Sequence, residues 1–120
     1  LNVDGQIRNL SFIPIPRVIS CVHHTRQHVL RWEALPFVLR PEAFLPSHRA
    51  ARKRIQLEYM FCGFLLLGLD LSLPLTVVDF CSGAGHFGCI VAALFPHMTV
   101  VLVEYNRQAC LRALQRKQVA

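Results

Sequence analysis

The sequence predicts an α/β domain built on a parallel sheet, and three observations carry that prediction. Two short runs are continuously apolar and β-branched, TVVDF over Thr76–Phe80 and TVVLVE over 99–104. A glycine-rich turn, GAGHFG, follows the first run and opens an apolar stretch that Pro96 stops. Two strands joined by a helical crossover run parallel. Strands that are apolar without alternation suit a sheet covered on both faces.

The elements follow in order. Residues 1–46 carry Pro14, Pro16, Pro36, Pro41 and Pro46, which leaves room for one short helix, over 25–33. The same segment holds Phe12, Ile13, Leu30, Trp32, Phe37 and Phe44, so it reads as a proline-rich N-terminal extension that packs on the domain rather than a free linker. SHRAARKRIQLEYMFCGFLLLGL predicts a helix over 47–67 with Ser47 as its cap and Gly63 at a close-packed point. Its basic first turns oppose the helix dipole unless an acidic group lies nearby. A buried helix over 87–95 and a helix over 107–119, capped by Asn106, complete a βαβα order.

With 120 residues, 53% hydrophobic and 17% charged, the chain is neither disordered nor of low complexity. It lacks an initiating Met and ends inside a basic helical pattern, so a piece of a longer protein is expected. The formal charge of +6 gathers at 49–54 and 107–117, read as solvated helix faces, with RNA as a compatible polyanionic partner. Five widely spaced cysteines favour a reducing, cytoplasmic setting. Cys62, Cys89 and Cys110 are read as core, and Cys81 as packing at a turn. The apolar run 59–69 falls short of the roughly twenty residues a membrane helix needs, so no membrane is expected. Cys21, His23, His24 and His28 are read as ordinary polar residues and no metal is expected.

The glycine turn carries the chemistry. Gly83, Gly85 and Gly88 match G-x-G-x-x-G between a strand and a helix, where bare backbone and helix-start N–H groups face a ligand. Glu104 ends the next strand, nineteen positions after Gly85, where a carboxylate accepts ribose hydroxyls. Asp79 stands four residues before Gly83. It would repel a pyrophosphate but suits the ammonium and sulfonium of S-adenosylmethionine, which favours that cofactor over a dinucleotide. His86 reads either as a group reaching the ligand or as a helix-start polar residue.

VVDFCSGAGHFG followed by VVLVEYN resembles the first two motifs of class I, Rossmann-like S-adenosylmethionine-dependent methyltransferases. With RAARKRIQLE and WEALP upstream, the resemblance narrows to the methyltransferase domain of glutathione S-transferase C-terminal domain-containing proteins. It implies that 47–120 is the N-terminal half of a Rossmann-like methyltransferase domain, incomplete and by itself inactive. The cofactor contacts it implies are Asp79, Cys81, Gly83, Gly85, Glu104 and Tyr105, with Cys81 in the place of the usual first glycine and Tyr105 against adenine. It assigns no catalytic residue and no methyl acceptor. The alternatives are a catalytically degenerate methyltransferase-fold interaction or RNA-binding module, and an NAD(P)-dependent oxidoreductase.

Overall fold

A computed structural model describes residues 30–119. The order is three short 3₁₀ turns (Trp32–Ala34, Phe37–Leu39, Pro41–Ala43), α1 (Ser47–Leu65), β1 (Thr76–Phe80), α2 (His86–Leu94), β2 (Thr99–Val103) and α3 (Arg107–Val119). The strands pair in parallel, with Thr76 opposite Thr99 and Phe80 opposite Val103. The chain is therefore mixed α/β with a two-stranded parallel sheet among the described residues.

Proline spacing explains the 3₁₀ turns, since no longer helix fits between Pro36, Pro41 and Pro46. The expected helix over 25–33 lies mostly outside the described residues, and Trp32 and Glu33 begin a 3₁₀ turn instead. This segment belongs to the core: Leu30, Trp32, Leu35 and Leu39 cluster with Leu57, Phe61 and Phe64 of α1 and Ile90 and Val91 of α2. The Trp32 indole N–H donates to Glu58 (2.6 Å). Arg54 lies over the Trp32 ring and pairs with Glu42, which supplies the acidic neighbour that the basic start of α1 calls for. The Arg40 guanidinium bonds the Leu35 and Glu33 carbonyls and holds the turns together.

α1 begins directly after Pro46, so Ser47 is its first residue rather than its cap, and no side chain among the described residues caps it. Gly63 has open space where a Cβ would stand, so it is not a point of close packing. Phe61 and Phe64 instead carry the contact, packing with Phe95, and Phe64 also meets Phe87 edge-on. Asn106 does cap α3, its side-chain oxygen accepting the Ala109 N–H (3.1 Å).

The sheet departs from expectation on one face. Val77, Asp79, Val100 and Leu102 are half-buried, whereas Val78, Val101, Val103 and especially Phe80, 70% exposed, face outward. The described helices cover a single face, which leaves an apolar strip on the other. No helix among the described residues is long and apolar enough to cross a membrane.

Candidate functional site

The strand ends and the loop between them form the candidate site. Cys81 (φ +56°), Gly83 (φ +56°) and Gly85 (φ +71°) all adopt left-handed backbone. Such a conformation is unfavourable for a side chain, which accounts for glycine at two of the three positions and makes Cys81 the strained one. At Gly83 nothing among the described residues lies within 4 Å of where a Cβ would stand, so the loop is open to them there. At Gly85 and Gly88 the space is filled by protein: a Cβ on Gly85 would meet Leu102 and Ala113, and one on Gly88 would meet Leu102, Val100 and Asp79. Gly88 thus lets α2 lie directly on the sheet.

Glu104 is folded onto backbone. One carboxylate oxygen accepts the Tyr105 (3.0 Å) and Asn106 (2.8 Å) N–H groups, and the other accepts Gly83 N–H (2.9 Å). The Asn106 and Gly83 bonds hold its carboxyl below the usual range, and it is ionised at neutral pH. The oxygen bound to Gly83 has a second lone pair for another donor. Asp79 accepts Gly88 N–H (3.2 Å). Burial pushes its carboxyl up, against the opposing pull of that bond and of Lys53. Lys53, half-buried on α1, is lowered by burial and by Arg116, and raised by Asp79. Tyr105 is 98% exposed.

Asp79, Cys81, Gly83, Gly85 and Glu104 therefore meet at one end of the sheet, with Tyr105 beside them. A cavity of about 560 Å³ lies between α2, β2 and α3, its lining including Ser82, Cys89, Leu102, Glu104, Cys110 and Lys117. The Ser82 hydroxyl is buried without a partner among the described residues. Cys62 is buried as expected; Cys89 is half-buried, packing against the core cluster and also lining this cavity, and Cys110 is half-buried on the cavity. Among the described residues no group of His, Cys, Asp or Glu could hold a metal ion. Cys21, His23, His24 and His28 lie outside the described residues.

Sequence reasoning missed Ser82 and Arg116. Arg116 belongs to a stretch read as a solvated face, yet it is 2% exposed. Its Nε donates to the Ala84 carbonyl of the loop (3.1 Å), and the Phe44 ring stacks on its guanidinium at 4.4 Å. Its terminal nitrogens lie 3.3 and 3.0 Å from the two ring nitrogens of His86. His86 is consequently buried against Arg116 rather than turned outward to a ligand. Burial, with Arg116 and Lys53 nearby, pushes it down to about 3, so it is neutral. The one available signal was Arg116 lying three positions after Ala113 on the buried face of α3.

No family model matches the chain. No solved structure matches it either. Curated relatives do. The chain is 36% identical over 127 aligned residues to the glutathione S-transferase C-terminal domain-containing protein of Xenopus laevis, covering 94% of this chain and 20% of that protein. The Homo sapiens protein of the same name is 35% identical, with 82% and 15% covered. A Drosophila melanogaster homolog is 28% identical, with 97% and 19% covered. The chain thus spans a fifth or less of the curated relatives it matches. Their names specify a glutathione S-transferase C-terminal domain and none specifies a methyltransferase. The methyltransferase assignment drawn from the sequence is corrected accordingly, as an activity and as a family. Nothing in these comparisons supports the RNA-binding module or the oxidoreductase.

Proposed function

We propose that the loop after β1, with Asp79 and Glu104, binds a nucleoside bearing an amino-acid tail, with S-adenosylmethionine as the ligand, on a Rossmann-like parallel sheet. The observation that carries this reading is the pair of carboxylates at the ends of adjacent parallel strands, one on either side of a loop with left-handed glycines. Glu104 keeps a lone pair for a ribose hydroxyl while backbone bonds fix its orientation. Asp79 and Lys53 place charges of both signs at the end of β1, matching the ammonium and carboxylate of an amino-acid tail. The open side of Gly83 admits the ligand close to backbone, and the Ser82 hydroxyl, without a partner among the described residues, offers a further donor or acceptor. In this reading Cys81, Gly83 and Gly85 wall the site, and Tyr105 lies beside the adenine.

The reading assigns binding and no group transfer. The test is calorimetric titration of the full-length protein with S-adenosylmethionine and separately with NADH, repeated on Asp79→Ala and Glu104→Ala. Micromolar binding of S-adenosylmethionine, weakened at least about tenfold in each variant, is expected from the loss of a charged hydrogen-bond partner. A folded wild-type protein that binds neither ligand refutes the reading.

A further inference from the structure

We infer that Arg116 is a positioning residue for the ligand-binding loop, holding the Ala84 carbonyl from α3 while Phe44 of the N-terminal segment covers it. This rests on the binding role proposed for the loop. The loop has left-handed residues at 83 and 85, a conformation with much freedom in the unbraced chain. Two charged side chains from distant elements grip it: Glu104 takes the Gly83 N–H, and Arg116 gives a hydrogen bond to the Ala84 carbonyl. A negative group thus holds a donor and a positive group holds an acceptor on neighbouring stretches of loop backbone.

Packing alone does not account for an arginine here. Arg116 is almost wholly buried, and the ion pair found among the described residues, Arg54 with Glu42, does not involve it. Burying a guanidinium without a carboxylate is costly, and an apolar side chain of similar length would fill the space without that cost. What an apolar residue lacks is the bond to Ala84 and the contact with His86. Only one nitrogen of a neutral imidazole accepts, so one of the two His86 contacts is a hydrogen bond and the other a close approach. Through His86, the first residue of α2, Arg116 also fixes where the loop ends. Its position near the C-terminal end of α3 suits a cation. Phe44 closes over the guanidinium, so the proline-rich segment and the loop share one contact.

The test compares Arg116→Met, Arg116→Lys and Phe44→Leu in the full-length protein by amide hydrogen exchange, by NMR titration of the His86 ring and by S-adenosylmethionine calorimetry. Arg116→Met is expected to speed exchange at the Gly85 amide at least about tenfold while the Ile90 and Val91 amides of α2 stay protected, and to weaken ligand binding by a similar factor. The His86 midpoint is expected to rise from about 3 in Arg116→Met and to stay low in Arg116→Lys, which keeps the charge but not the guanidinium geometry. A purely structural arginine would expose the Gly85, Ile90 and Val91 amides together rather than Gly85 alone. A folded Arg116→Met protein with unchanged Gly85 exchange overturns the inference. Should Arg116→Met not fold, the same exchange result in Arg116→Lys and Phe44→Leu decides. Failure of the wild type to bind S-adenosylmethionine removes the proposed function and leaves the exchange experiment to judge Arg116.

Discussion

Replacing Gly85 by Ala separates two costs that the loop combines. The first is conformational. A left-handed L-residue costs about 1–2 kcal/mol, offset by about 0.4–1 kcal/mol because Ala restricts the unfolded chain. Gly83 carries this cost alone, since its φ is +56° and nothing among the described residues lies within 4 Å of the added carbon. The second is steric and applies at Gly85, whose new Cβ would stand 2.8 Å from Leu102 Cδ1 and 3.0 Å from Ala113 Cβ. The Leu102 methyl can swing into the cavity it lines, but Ala113 Cβ is fixed to α3, so the helix must move. Overpacking of this kind costs about 1–3 kcal/mol. Gly83→Ala should therefore lose about 0–1.5 kcal/mol and Gly85→Ala about 1–3 kcal/mol more. At roughly 4 °C per kcal/mol for a chain of this length, the melting temperatures of the two variants should differ by about 4–12 °C. Thermal unfolding followed by the emission of Trp32, the sole tryptophan, measures this directly. Ala113→Gly should recover part of the Gly85→Ala loss in the double variant, a positive coupling over and above its own helix penalty. Equal losses at both glycines, or no recovery in the double variant, would refute the packing argument.

Three further outcomes are expected. Trp32→Phe removes the donor to Glu58 while keeping most of the apolar area, and should cost about 1.5–3 kcal/mol in denaturant unfolding. Glu104 has a folded pKa below its ordinary 4.5, so its contribution is present above that pH and is lost as pH falls through the folded value. The wild type should therefore lose its advantage over Glu104→Gln below about pH 4.5, as read by unfolding curves across that range. Cys81→Val should destabilise more than Cys81→Gly, because a β-branched side chain tolerates φ +56° least; equal midpoints for the two variants would count against strain at Cys81.

Much of this architecture was legible because it rests on local signals. TVVDF and the apolar part of TVVLVE form strands at Thr76–Phe80 and Thr99–Val103, and Asn106 caps α3. The glycine spacing also reads correctly as a turn, since two of its three glycines require left-handed backbone. Non-local facts were not legible. An apolar strand looks the same whether one face or both are covered, so Val78, Phe80, Val101 and Val103 gave no sign of exposure. Arg116 sits among Arg112 and Lys117, and charge alone places all three in solvent; only the approach of Phe44, Ala84 and His86 from elsewhere in the chain buries one of them. The methyltransferase reading failed at another level, because a short loop motif describes a shape that backbone can adopt and not the reaction that a protein performs.

The two grips on the glycine loop also bear on the order in which the chain assembles. Glu104 lies 21 residues from Gly83, and Arg116 lies 32 from Ala84, so neither contact exists until β2 is paired and α3 has docked. Closing such separations costs chain entropy that only later contacts repay. The loop should thus take its final shape late in folding, after the sheet and α2 are in place. Substitutions at Glu104 or Arg116 would then act chiefly by hastening unfolding, with little effect on the rate at which the core first forms.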